Sequence, residues 1–140
     1  MNPITVLLAE DHFIVREGLR SLLSLEKDIR VVGEAGTGRE AVELTRRLSP
    51  AVVVMDIAMP LLNGLEATRQ ILRAIPATRV LILSAHSDDA YVQRVIALGG
   101  AGYLIKQSSG NVLAKAIREV VKGHSFFSPS IARRLTYHQD

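Results

Sequence analysis

Five short, largely apolar runs, each followed by a segment of helical period, constrain this 140-residue chain more than any other feature. The runs are Ile4–Ala9, Ile29–Glu34, Ala51–Asp56, Arg79–Ser84 and Gly102–Ile105. Near-continuous apolar runs of this length read as strands buried on both faces, since a half-exposed strand would alternate with polar residues. Between them, apolar residues recur three and four positions apart: Phe13, Ile14, Leu19, Leu22 and Leu23, then Ala41, Val42, Leu44 and Leu48, then Leu65, Ile71, Leu72 and Ile75. Tyr91, Val92, Val95 and Ile96 continue the series, and Val112, Leu113, Ala116, Ile117 and Val120 complete it. That period predicts five amphipathic helices. Their boundary signals are Gly36-Thr37-Gly38, Ser49-Pro50, Pro76, Ser87-Asp88-Asp89 and Gly99-Gly100, with the fifth running from about Ser109 to Lys122. Strict alternation of strand and helix predicts an α/β fold, a doubly wound five-stranded parallel sheet with right-handed crossovers. Gly123–Pro129 reads as a connector and Ser130–Tyr137 as a further amphipathic helix on Ile131 and Leu135.

Composition narrows the function classes. With 48% hydrophobic and 22% charged residues the chain forms a core rather than a disordered segment, and its length fits one domain. The absence of cysteine excludes disulfides, thiolate metal sites and a cysteine nucleophile, and fits a cytoplasmic protein. Nothing resembles a signal peptide, and no apolar run approaches the length of a membrane span, so no membrane partner is expected. The net charge of +3 conceals an asymmetry: residues 1–66 carry 7 basic and 10 acidic groups, and the remainder is basic. With so few aromatic residues interleaved, the basic half reads as a solvated face rather than a nucleic-acid surface.

In open α/β sheets ligands bind beyond the carboxyl ends of the strands, and here polar residues follow four of them. They are Glu10-Asp11, Asp56, Ser84 and Lys106. Each alone has an ordinary explanation: a helix-capping acid pair, a turn aspartate, a strand-end hydroxyl, a solvated lysine. Together they differ, because three crowded carboxylates repel one another unless a cation shares the site. A set of oxygen donors selects Mg²⁺ or Mn²⁺, which keep waters and favour phosphate as a co-ligand. A lysine and a hydroxyl beside them suit phosphoryl transfer to a carboxylate. The histidines, His12, His86, His124 and His138, show no paired spacing and are not read as metal ligands.

This constellation resembles the receiver domain of response regulators over about Ile4 to Lys122. The resemblance implies a (βα)5 flavodoxin-like fold with strand order 2-1-3-4-5, Asp56 as the phosphoacceptor, and a sensor histidine kinase as partner. Mg²⁺ would be held by Glu10, Asp11, Asp56 and the backbone carbonyl of Ala58. Ser84 and Lys106 would bind the phosphoryl group, and Tyr103 would be the aromatic switch. Met59, Pro60 and Gly64 match the loop after the phosphoacceptor. Such a domain is a phosphoacceptor with at most self-phosphorylation and self-dephosphorylation activity, not a conventional enzyme. Three positions depart from the common pattern: Glu10 stands for Asp, Ser84 for Thr, and Gln107 follows Lys106 where a proline is frequent.

Two rival readings fare worse. Gly36-Thr-Gly38-Arg-Glu-Ala41 imitates a dinucleotide-binding fingerprint, yet it follows the second strand and the polar cluster lies after others. An aspartyl-phosphate phosphatase would place a second aspartate where this chain has Ala58. Residues 1–122 are therefore expected to be a receiver domain, and 123–140 a linker with the start of an inter-domain helix. The tail, Gly123 to Leu135, resembles the join in NarL/FixJ-type regulators, which implies that a LuxR-type helix-turn-helix domain follows in the full protein and alone binds DNA. The resemblance also implies a homodimer on phosphorylation. A stand-alone receiver acting through protein contacts is the alternative.

Overall fold

In a computed structural model, which describes residues 2–59, 62–85, 89–106 and 110–138 (side chains of 110, 111 and 134–138 excepted), every expected strand and helix is present. The order is β1 (Ile4–Ala9), α1 (Phe13–Ser24), β2 (Ile29–Ala35), α2 (Gly38–Leu48), β3 (Val52–Met55) and α3 (Gly64–Ala74). It continues with β4 (Arg79–Ser84), α4 (Asp89–Leu98), β5 (Gly102–Ile105), α5 (Gly110–Val121), β6 (Phe126–Phe127) and α6 (Pro129–His138). The strands form one parallel sheet in the order β2-β1-β3-β4-β5-β6. One expectation needs correction: the presumed connector 123–129 contains β6, which extends the sheet beyond β5. Its pairing is carried by the backbone of a two-residue strand, which leaves no periodicity to read. Pro60, His86, Ser87, Asp88 and Ser109 lie outside the described residues.

Successive side chains of each strand enter opposite cores, as a pleated strand requires. Leu7, Val53, Met55, Ile82 and Tyr103 pack with α2, α3, α4 and Ile131 of α6. Val6, Leu8, Val52, Val54, Leu81 and Leu104 pack with α1 and α5. Both faces are covered, which is why the runs are apolar throughout.

The glycine motif at 36–38 finds a local explanation. Thr37 accepts a hydrogen bond from the Glu40 N–H (3.1 Å) and the Glu40 carboxylate accepts one from the Gly36 N–H (2.7 Å), a reciprocal capping box for α2. A Cβ at Gly38 would lie 1.8 Å from the Leu62 carbonyl oxygen, so this glycine lets α2 approach the segment before α3. Neither feature concerns a dinucleotide.

Candidate functional site

The carboxyl ends of β1, β3 and β5 bring Glu10, Asp56 and Lys106 into direct contact. Lys106 Nζ donates to Glu10 Oε1 at 2.6 Å and to Asp56 Oδ2 at 3.2 Å, closing a bridge across 96 and 50 residues of sequence. Asp56 is 4% exposed and Glu10 2%. Asp56 Oδ1 accepts a hydrogen bond from the Ala58 N–H at 3.3 Å. Burial acts to depress the Lys106 ammonium, but the hydrogen bond to Glu10 and the charges of Asp56 and Glu10 outweigh it, so its pKa is held above the ordinary lysine value. The lysine is therefore a fixed positive charge at neutral pH.

Two oxygens in this pocket are buried and accept no hydrogen bond: Glu10 Oε2 and Asp11 Oδ1. A buried carboxylate oxygen without a donor is costly unless a cation supplies the missing interaction. One ligand atom from each of Glu10, Asp11, His12 and Asp56 lies within 4.8 Å of the others. The donor set thus fits a divalent ion, with the carboxylates as hard ligands.

The scaffold around the pocket is specific. Gly64 opens α3, and a Cβ there would lie 2.1 Å from the Asp56 carbonyl oxygen, so any side chain at 64 would displace the backbone carrying the acid. The Gly64 N–H also donates to the Ile57 carbonyl at 2.8 Å, closing the loop over a buried Met59. No motif in the sequence points to Arg16, yet its Nη1 donates to the Glu10 carbonyl (2.7 Å) and its Nε to Glu34 (3.1 Å), clamping the acid-bearing turn. The only available signal was its position one turn into α1.

Ser84 ends β4, 1% exposed, and its carbonyl accepts the Lys106 N–H at 2.8 Å. Tyr103 is fully buried in β5, its backbone engaged on both sides: by β4 opposite Ile82 and by β6 opposite Phe127. Elsewhere, a hollow of about 670 Å³ between α2 and α3 is lined by Arg39, Arg46 and Arg47 with Val42 and Leu62. Arg69 and Arg73 border the adjoining hollow. Arg39, Arg46 and Arg47 from the acidic part of the sequence thus lie near Arg69 and Arg73 from the basic part, with Glu43 paired to Arg47 and Glu66 to Arg69.

Residues 6–118 match the family model described as the response regulator receiver domain. The chain belongs to that family. A transcriptional regulatory protein DegU from Brevibacillus brevis is 37% identical over 134 residues, covering 96% of this chain and 57% of its own length. Among solved structures, a LuxR-family two-component response regulator from Aurantimonas sp. SI85-9A1 superposes with a TM-score of 0.93 at 36% identity, covering 99% of both chains. The isolated receiver domain of RcsB from Salmonella enterica serovar Typhimurium, solved with the phosphomimetic BeF3⁻, gives 0.86 at 28% identity, covering 94% of this chain and 98% of its own. The relatives of this receiver are NarL/LuxR-family regulators, and the chain spans about 60% of the length of the curated relatives it matches. The strand order implied by the resemblance is the order of this sheet, with β6 added at its edge. No described helix is long and apolar enough to cross a membrane.

Proposed function

We propose that Asp56 accepts a phosphoryl group from a sensor histidine kinase and that the modified receiver controls transcription in the full protein. The observation that carries this reading is the Lys106 bridge: one fixed cation touches both the candidate nucleophile and the neighbouring acid, at a strand end where a phosphoryl group can reach Asp56. In the proposed step an Asp56 carboxylate oxygen forms a bond to phosphorus. The phosphorus–nitrogen bond to the donor imidazole breaks, and its electron pair stays with the imidazole, which takes up a proton. Glu10, Asp11, Asp56 and the Ala58 carbonyl would hold a divalent ion, which would supply charge neutralisation for the incoming phosphoryl oxygens. Lys106 is placed to shift from Asp56 to a phosphoryl oxygen without leaving Glu10, and Ser84 supplies a hydroxyl.

The phosphomimetic-bound relative supports a phosphoacceptor role, and the DegU-like relatives support transcription as the output. Phe13 and Ile14, 61% and 79% exposed directly after the acidic turn, offer apolar surface beside the pocket for a kinase. The output reading is a population shift of the β4–α4–β5–α5 face that changes homodimerisation or domain contacts, with DNA bound by a helix-turn-helix domain following this chain. Incubation with Mg²⁺ and a small phosphodonor tests the central step by intact mass. One added phosphoryl group, absent in Asp56→Asn, is expected; an unchanged mass in folded protein across donors and Mg²⁺ levels would sink the reading.

A further inference from the structure

His12 follows the acidic pair and forms the N-cap of α1, but its side chain makes no capping hydrogen bond. The imidazole turns instead toward the pocket: Nδ1 lies 3.3 Å from Asp11 Oδ1 and 3.6 Å from Glu10 Oε2. These are the two buried oxygens that accept no hydrogen bond. Three donor atoms therefore converge, two of them lacking any hydrogen-bond partner. Ligands about 2.1 Å from a common ion lie roughly 3.0 to 3.4 Å apart at octahedral or tetrahedral angles, close to both measured separations.

We propose that the pocket is a mixed nitrogen–oxygen metal site, with His12 a ligand through Nδ1, and that this makes it select Mn²⁺ over Mg²⁺. The inference rests on the reading that the pocket holds a divalent ion, and extends it from ion charge to ion identity. Mg²⁺ prefers oxygen and retains its waters, whereas Mn²⁺, a first-row transition ion, accepts an imidazole nitrogen more readily than Mg²⁺ does. The substitution of Glu for Asp at position 10 acquires a reason. The longer arm gives Oε1 to Lys106 while Oε2 faces His12, so one carboxylate serves lysine and ion together. His12 reaches the pocket from outside, its side chain 67% exposed, so the imidazole replaces a water on the solvent side of the ion without entering the core.

Calorimetric titration of the metal-stripped chain with Mn²⁺ and separately with Mg²⁺ tests this, in wild type, His12→Ala and Asp11→Asn. The exposed position of His12 keeps the alanine variant folded, which circular dichroism checks. The expected result is that His12→Ala weakens Mn²⁺ binding about tenfold or more while Mg²⁺ binding changes less than about twofold. Bound Mn²⁺ should also lose the imidazole nitrogen coupling in its pulsed electron-spin-echo spectrum. If His12→Ala weakens both ions equally, or neither, and the nitrogen coupling persists, the proposal is overturned although the pocket still binds metal. If wild type binds neither ion, or Asp11→Asn binds both as wild type does, the metal reading of the pocket itself fails.

Discussion

The pocket at the carboxyl edge and the corner formed by β5, β6 and α6 are built on opposite principles. In the pocket Glu10 and Asp56 share one lysine, and one oxygen each of Glu10 and Asp11 goes without a donor. In the corner the polar groups described are matched. The Ser128 N–H donates to the Tyr103 carbonyl at 3.0 Å, and Ser128 Oγ accepts the Ile105 N–H at 2.9 Å. Ile131, 1% exposed, then fills the core beside Tyr103. A Cβ at Gly102 would lie 2.1 Å from the Phe126 carbonyl oxygen, so the corner exists only because that residue is glycine. Unmatched buried oxygens carry a cost in the pocket, whereas in the corner matched hydrogen bonds hold the strand that carries Tyr103. Strain at sites and compensation elsewhere is the general pattern of functional proteins.

The largest effect expected from breaking this contrast comes from Lys106→Met. It leaves Glu10 and Asp56 buried without their cation, a loss of about 3 kcal/mol, at the low end for a buried pair because the lysine side chain is 21% exposed. Urea unfolding in chelator should show that loss, and saturating Mg²⁺ should recover much of it, since a bound ion stabilises the folded state that holds it. The sign with pH follows from the raised lysine pKa. The contribution is complete below the ordinary lysine value and disappears only as pH rises through the folded-state value. The deficit of the variant should therefore be flat near neutrality as far as the lysine's own titration goes, shrinking only in strongly alkaline solution. A deficit that Mg²⁺ does not reduce would show that the lysine acts through packing alone.

Next in size is Ile131→Ala, which removes a fully buried aliphatic side chain at about 2–4 kcal/mol. Unlike Lys106→Met, its cost should be the same in chelator and in Mg²⁺, because no charge is involved. Hydrogen exchange should place the new opening at β6 and at the Tyr103 and Ile105 amides. If β1 and β3 loosen equally, the corner is not a separable unit.

The two regions were also unequally legible in sequence. The pocket could be read because its residues are of the wrong type for their place: charges ending apolar runs, at a sheet edge where ligands bind. Asp56, Glu10, Asp11 and Lys106 each had an ordinary explanation alone and stood out only as a set, and the sheet brings Glu10, Asp56 and Lys106 into contact with Asp11 beside them. What escaped was orientation. Nothing in the spacing shows that the exposed His12 ring sets its Nδ1 beside the Glu10 and Asp11 carboxylates rather than capping α1, or that Arg16 folds back onto the Glu10 carbonyl. The corner was hidden for a different reason. β6 is held by main-chain pairing of Phe126 and Phe127, and Ser128 works through backbone partners in β5. Backbone complementarity leaves no compositional trace, so a short strand after a glycine reads as a connector. Gly36-Thr37-Gly38 is the converse case: a local cap carries the same letters as a ligand-binding turn, its place after the second strand already told against a ligand, and its hydrogen bonds show the cap.

The smallest effect expected, and the one that tests the sign of the contrast, is Asp56→Asn. The amide keeps one acceptor oxygen, enough for Lys106 or for the Ala58 N–H but not for both, while one of three crowded negative charges is lost. Relief of like-charge repulsion should stabilise the metal-free protein by about 1 kcal/mol, a rise of a few degrees in melting temperature for a domain of this size. In saturating Mg²⁺ the order should reverse, because the wild-type pocket binds the ion with one more anionic ligand and gains more from it. The corner offers no parallel: no substitution of Ser128 or Ile131 should reverse sign with Mg²⁺, since neither touches the charges. If Asp56→Asn instead destabilises the metal-free protein, Lys106 already neutralises the pocket. The unpartnered oxygens of Glu10 and Asp11 would then no longer mark a site held open at a cost in stability.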